Sequence, residues 1–370
     1  MTFIWIVVIS FSLLYILLIG FFYLGWIKSR NYKNPKTDFS CFVSIVIAAR
    51  NEEDNILNLL TALSIQTYKN FEIIIIDDHS TDQTTEIIKK YNLINCNLNS
   101  LPENQSGKKI AIANAIKLSK GELILATDAD CIPDKNWVKS MVSFYNSEQA
   151  EFIIGPVKQS ASKNLFQQFF SLDFLSLQTA GAGSAEMKKP FICNGANIAF
   201  TKNVWENISK FQGNQFASGD DVFLLHNAIN LLPKNKIRFI FSEDAMVLTD
   251  APTNIKAFFN QRIRWASKAK GYNNSTSIIT SLTILLINFL LLGLIINSLF
   301  FPQLIYCFLF VFSIKSFIDF VILLSAANFY KQHSLLWYFL PLQLIYFIYI
   351  SIISIFSLFG KYKWKERNCE

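Results

Sequence analysis

Charge is scarce in this chain. Only 16% of its 370 residues are Asp, Glu, Lys or Arg, where a soluble domain carries about 25%. A purely soluble protein is excluded. Disorder is excluded too, because apolar residues make up 52% and the net charge is only +7. The three histidines, His79, His226 and His333, are too scattered for a histidine-based metal site. The six cysteines, at 41, 96, 131, 193, 307 and 369, form no C-x-x-C pair and no zinc spacing. They read as packing residues of a reduced compartment. No G-x-G-x-x-G follows the first predicted strand, which argues against a dinucleotide dehydrogenase. Internal repeats and low-complexity linkers are absent.

Long uncharged runs are what the chain has instead. Residues 3–27 carry no charge. As a helix they reach about 37 Å, enough for a hydrocarbon core of ~30 Å. The run lacks a basic start and a small-residue cleavage site, so it reads as a membrane span and not as a signal peptide. Lys28, Arg30, Lys33 and Lys36 follow it, and basic flanks favour the cytoplasmic side. The region 276–359 is expected to hold two or three further spans: 276–300, 303–329 and 335–359. The middle one contains Lys315 and Asp319, four apart and so on one helix face. Such a pair is either a functional polar site or a mutually neutralised packing feature. Three crossings after a cytoplasmic domain leave the C-terminus outside. Lys361, Lys363, Lys365 and Arg367 ask for the inside, so the number of spans stays open. The expected location is a bacterial inner membrane, with residues 38–250 as a cytoplasmic domain.

That domain has normal polarity. β-branched runs predict strands at 42–48, 71–76 and 122–127. Helical spacing predicts helices at 51–66, with Ile56, Leu59, Leu60 and Leu63 on one face, at 83–91 and at 108–119. Ser80, Thr81 and Asp82 are candidate caps for the second of these. Strand–helix alternation implies an α/β, mostly parallel sheet covered on both faces. In such sheets ligands bind beyond the carboxyl ends of the strands.

Acids gather at those ends. The first strand runs into Arg50-Asn51-Glu52-Glu53, the second into Asp77-Asp78-His79-Ser80, the third into Asp128-Ala129-Asp130. Two aspartates one residue apart suit a hard cation such as Mg2+ or Mn2+ bridging to a diphosphate. Lys108, at a helix start where it opposes the dipole, is a candidate diphosphate contact. Asp220 and Asp221 follow Ser218-Gly219 and precede an apolar run. They read either as a helix cap or as a general base with its neighbour. Residues 251–272 form an amphipathic interfacial helix centred on Gln261-Arg262-Ile263-Arg264-Trp265. A second interfacial helix is expected at 165–177.

The ordered set ARNEE (49–53), DDHSTD (77–82), GKK (107–109), DAD (128–130), GDD (219–221) and QRIRW (261–265) resembles the membrane-bound, inverting branch of glycosyltransferase family 2. Q-x-x-R-W is shared by its cellulose, chitin, hyaluronan and poly-N-acetylglucosamine synthases, and ceramide glucosyltransferases have a similar motif. The resemblance implies a Rossmann-like GT-A fold and a nucleotide-sugar donor, commonly UDP-linked. It implies that Glu52, Asp77, Asp78, Lys108 and Asp128 bind the donor, and that Asp128 and Asp130 hold Mg2+ or Mn2+. Asp221 is the implied catalytic base. Asp220, Gln261, Arg262, Arg264 and Trp265 are the implied acceptor and donor pocket. GDD stands where many synthases have T-E-D, which leaves the role of Asp220 open. The implied acceptor is a polysaccharide or a membrane lipid, and no nucleic-acid partner is expected. The alternatives are a transferase acting on a polyprenyl phosphate and a non-catalytic membrane scaffold on the same fold.

Overall fold

The computed structural model describes residues 1–32, 40–160, 164–209, 220–267, 271–359, 362–364 and 367–369. Gly219, Lys33, Lys36, Lys268, Lys270, Lys361 and Lys365 lie outside them, and of Asp220 only the backbone is described. The chain opens with α1 (Thr2–Ser29), β1 (Val43–Ala49), α2 (Ile56–Ser64), β2 (Phe71–Asp77), α3 (Thr84–Tyr91) and β3 (Cys96–Ser100). It continues through α4 (Lys108–Leu118), β4 (Leu123–Ala126), β5 (Cys131–Pro133), α5 (Trp137–Glu148), β6 (Phe152–Ile154) and β7 (Val157–Gln159). Next come α6 (Leu165–Glu186), β8 (Ile198–Thr201), α7 (Lys202–Ser209), α8 (Asp220–Leu231), β9 (Ile237–Phe239) and β10 (Val247–Thr249). The chain ends with α9 (Ile255–Ser267), α10 (Ser275–Asn297), α11 (Leu304–Tyr330), α12 (Phe339–Phe359) and two short strands, β11 (Tyr362–Trp364) and β12 (Arg367–Cys369).

These elements form two compact units. One comprises Ile27–Ser160 and Lys188–Asp250, the other Met1–Trp26, Ala161–Met187 and Ala251–Glu370. The stretch expected as one domain, 38–250, is thus interrupted. Residues Ala161–Met187 belong with the apolar helices, because α6 buries Phe170 against Phe258 of α9 and in one core cluster with Tyr349 and Ile353 of α12.

The first unit holds a seven-stranded sheet in the order β3-β2-β1-β4-β8-β6-β9. β1 pairs in parallel with β2 and β4, and β2 with β3, while β8 runs antiparallel to both β4 and β6. The central strands are buried along their length, so their sequences are largely apolar without regular polar alternation, and the buried Ser44 and Glu72 of neighbouring strands bond to each other at 2.7 Å. α2 buries Ile56, Leu59, Leu60 and Leu63, the face its spacing predicts. Buried Asn197 ties this sheet to its surroundings. Its Oδ1 accepts from Trp137 Nε1 at 2.9 Å, and its Nδ2 donates to the carbonyls of Pro156 and Ala245, both at 2.8 Å.

Among the described residues, four helices are long and apolar enough to cross a membrane: Thr2–Ser29, Ser275–Asn297, Leu304–Tyr330 and His333–Ser357. The C-terminal region therefore supplies three of them. α1 and α11 run parallel, since Trp5 meets Phe310, Tyr15 donates to Asp319, and Trp26 Nε1 donates to Ser325 Oγ. α12 runs antiparallel to α11, with Phe339 at Phe320 and Phe347 at Phe308. Lys315 and Asp319 do pair, at 2.6 Å, and Gln343 of α12 bonds to both. Where α1 crosses α6 the backbones touch. A Cβ on Gly25 would stand 1.9 Å from the Gly183 carbonyl oxygen, and one on Gly183 would stand 2.1 Å from that of Phe22.

Asn197→Ala would strand the buried Trp137 indole N–H and the Ala245 carbonyl, while the Pro156 carbonyl keeps the Val247 N–H, at a cost of about 1–3 kcal/mol for each group left unsatisfied. A clear drop in melting temperature is expected for the purified variant. An unchanged melt would show that this network does not hold the sheet.

Candidate active site

The carboxyl ends of β1 and β2 are level, with Ala49 opposite Asp77. The loops that follow are laced together. Asn51 N donates to Ser80 Oγ, Thr81 N to Asn51 Oδ1, Glu52 N to Thr84 Oγ1, Glu53 N to Asp82 Oδ2 and Gln83 N to Glu53 Oε2, all within 2.8–3.0 Å. Asn51 (φ 49) and His79 (φ 58) take the left-handed conformation that these turns need. Asp77 and Asp78 are buried. Ser80 N donates to both oxygens of Asp77, at 3.3 and 3.2 Å. Arg50 donates from Nη1 to the Asp78 carbonyl and lies 3.9 Å from its carboxylate. Of the candidate caps, Asp82 is engaged, its Oδ1 accepting from Thr84 N at 3.0 Å.

Gly107 donates its N–H to Asp78 Oδ2 at 3.0 Å, with φ at 112. A Cβ there would meet nothing within 4 Å, so conformation and not space calls for glycine. The next residue, Lys108, starts α4, and its Nζ pairs with Asp128 Oδ1. This partner accounts for a lysine at a helix N-terminus, where the dipole disfavours it.

Asp128 and Asp130 follow β4, and together with Cys131 their donor atoms lie within 4.8 Å of one another. Desolvation by the protein around it, then the charges of Asp128 and Glu52, push the Asp130 carboxyl up to about 6, with Lys108 and its own opening to solvent pulling the other way. Burial and the same two aspartates push the Cys131 thiol well above its ordinary range. Its Sγ–H donates toward Asp130 Oδ1 at 3.5 Å. Two crowded carboxylates one residue apart fit a hard, oxygen-preferring divalent cation.

Asp221 stands in the first turn of α8. Its Oδ1 accepts from Val222 N at 2.8 Å and its Oδ2 from Gly195 N at 2.9 Å. The adjacent Ala196 carbonyl accepts from Thr127 Oγ1 at 2.8 Å, and Thr127 is the last residue before Asp128. The Asp221 carboxylate is thus tied through two residues to the strand end that carries the acid pair. The 193–196 turn escaped the sequence reading. Its signal is the Asn194-Gly195 turn dipeptide, with Asn194 Oδ1 accepting from Ala196 N at 3.0 Å.

Gln261, Arg262, Arg264 and Trp265 lie on α9, within the unit of apolar helices. Arg262 is buried, its guanidinium 4.3 Å from the Trp265 ring and 4.8 Å from that of Phe258. Arg262 Nη1 donates to Gln261 Oε1 at 3.4 Å. In the unit of the sheet, the structure brings together Glu52, Asp77, Asp78, Lys108, Asp128, Asp130 and Asp221 through the contacts above.

The profile of Glycosyl transferase family 2 matches residues 44–209. A probable glycosyltransferase of Bacillus subtilis, YdaM, is 29% identical over 233 residues, 60% of this chain and 54% of that protein. The beta-monoglucosyldiacylglycerol synthase of Nostoc sp. is 29% identical over 260 residues, 65% of this chain and 51% of that protein. The chain thus spans about half the length of these curated relatives. Among solved structures, the mannosyltransferase PcManGT from Pyrobaculum calidifontis, in complex with GDP-Man and Mn2+, aligns with a TM-score of 0.55 at 16% identity over 96% of each chain. It shares the fold, the mostly parallel GT-A sheet. Residues 44–209 thus match the Glycosyl transferase family 2 domain, and the sheet that carries them has the GT-A fold.

Proposed function

We propose that the protein is an inverting hexosyltransferase that moves a sugar from a nucleotide-diphosphate donor, UDP-linked, to a hydroxyl of a membrane lipid or a glycan. The observation that carries this reading is the Asp221 carboxylate, oriented by two backbone N–H groups and linked through Gly195, Ala196 and Thr127 to the end of β4. The donor of PcManGT and the glycolipid in the name of the Nostoc synthase support the donor class and the lipid arm. The four apolar helices suit an acceptor that lives in a membrane, here a bacterial inner membrane with the acids on its cytoplasmic side.

Asp77 and Asp78, with Glu52, receive the nucleoside end of the donor. Lys108 turns its charge to the diphosphate. Asp128 and Asp130 would hold a Mg2+ or Mn2+ ion, which would supply positive charge against the leaving diphosphate. Asp221 removes the proton of the acceptor hydroxyl as that oxygen attacks the anomeric carbon. The nucleoside diphosphate leaves from the opposite face, so a single displacement inverts the configuration. Asp220 serves the same step as a neighbouring acid, and Gln261, Arg262, Arg264 and Trp265 serve the acceptor and the sugar.

Three outcomes are expected. Chelation abolishes transfer and added Mg2+ or Mn2+ restores it, and Asp130→Asn behaves like the chelated enzyme. Full activity in excess EDTA contradicts the cation site. Trp265→Ala loses transfer while remaining in the membrane fraction, and normal turnover of the inserted variant leaves α9 only an anchoring role. Asp221→Asn keeps nucleotide affinity within a few-fold but loses ~10²–10⁴ in rate, roughly 3–5 kcal/mol of barrier. As a mere cap, Asp221 would cost ~1 kcal/mol of stability and little activity. Nucleotide binding and sugar transfer measured on one purified preparation separate the two, and transfer within about tenfold of wild type removes Asp221 as the base.

A further inference from the structure

The reading above leaves unused a buried acid in the unit of apolar helices, Asp173 of α6. Its side chain is 4% exposed and that of Arg262 is 5%, with Arg262 Nε 2.7 Å from Asp173 Oδ2. The N–H points off the line to the oxygen, so the contact is an ion pair without a well-aligned hydrogen bond. Tyr346 of α12 donates to Asp173 Oδ1 at 3.3 Å. Three rings clamp the same junction: Phe170 of α6 stacks on Phe258 of α9 at 3.9 Å, and Phe258 lies over Tyr349 of α12 at 5.4 Å.

We infer that Asp173 is a positioning residue for the Gln261–Trp265 segment, acting through Arg262. A buried guanidinium needs a counter-charge, and Asp173 is the carboxylate that supplies it. Held there, the cation lies against the face of Trp265 and fixes the ring by a cation–π contact. The acid comes from α6 and its second partner from α12, so three helices set the place of one tryptophan. The same junction adjoins the other buried pair. Lys315 Nζ, ion-paired to Asp319, lies 4.9 Å from the Tyr346 ring. Replacing either member of the Asp173–Arg262 pair alone leaves a buried charge without its partner, and the segment moves to solvate it.

The effect on catalysis rests on the proposed role of Gln261–Trp265 in transfer. The test uses the full chain in nanodiscs, labelled with 5-fluorotryptophan, with the Trp265 resonance assigned by its loss in Trp265→Phe. Turnover is measured with radiolabelled UDP-glucose and UDP-N-acetylglucosamine against a membrane lipid extract. Asp173→Asn is expected to shift the Trp265 resonance and to lower kcat about tenfold or more, with the donor KM within about threefold. Asp173→Glu, which keeps the charge, stays within about threefold of wild type in kcat. If Asp173→Asn does not fold, the double variant Asp173→Leu, Arg262→Met replaces the pair with apolar side chains, an exchange that commonly preserves stability. It is expected to fold and to show the same loss. A wild-type resonance or a wild-type kcat in whichever of these variants folds overturns the assignment. Failure of the underlying reading is distinguishable, because Trp265→Ala then turns over normally whatever Asp173 does.

Discussion

Parallel pairing of β1 with β2 and with β4 brings the carboxyl ends of three strands to one edge of the sheet. The chain loads that edge with Asp77, Asp78, Asp128 and Asp130, so like charges crowd where the strands stop. The backbone and a few cations hold the arrangement together. Arg50 and the Gly107 N–H serve Asp78, the Ser80 N–H serves Asp77, and Lys108 serves Asp128. Desolvation and the charges of Asp128 and Glu52 raise the Asp130 carboxyl to about 6. An edge built this way suits a partner carrying a divalent cation and a diphosphate.

A second economy governs the apolar helices. Charges in a low-dielectric interior persist only when paired and bonded. Lys315 meets Asp319 and Gln343, and Asp319 also accepts from Tyr15. Arg262 meets Asp173 and two aromatic faces. The polar residues of this unit thus specify which helix lies against which. Gly25 and Gly183 add a constraint of another kind, since their missing side chains let α1 and α6 touch backbone to backbone.

Much of this was legible in the chain, and the reasons differ by element. The central strands carry β-branched runs too long to mistake, and β1, β2 and β4 fall within a residue or two of their expected ends. Lys315 and Asp319 share a helix face, so their pairing follows from spacing alone. The partners Tyr15 and Gln343 do not, because they come from other helices. The same limit hid Asp173, which sits inside an apolar stretch expected to end at 177 and found to run to Glu186. It also hid the Gly195 cradle of Asp221, a contact between distant segments. β6, β8 and β9 span only three or four residues each, too short for any periodicity to register.

The central claim is catalytic transfer from a nucleotide sugar. Its most direct test is a panel of radiolabelled nucleotide sugars offered to membranes that contain the protein, with lipid and polymer fractions counted separately and membranes lacking the protein as the blank. The account predicts that one donor labels one of these fractions, and that the anomeric configuration of the product is inverted relative to the donor. Nucleotide binding without label in either fraction, across the whole panel, would contradict it and leave a binding scaffold on a transferase fold.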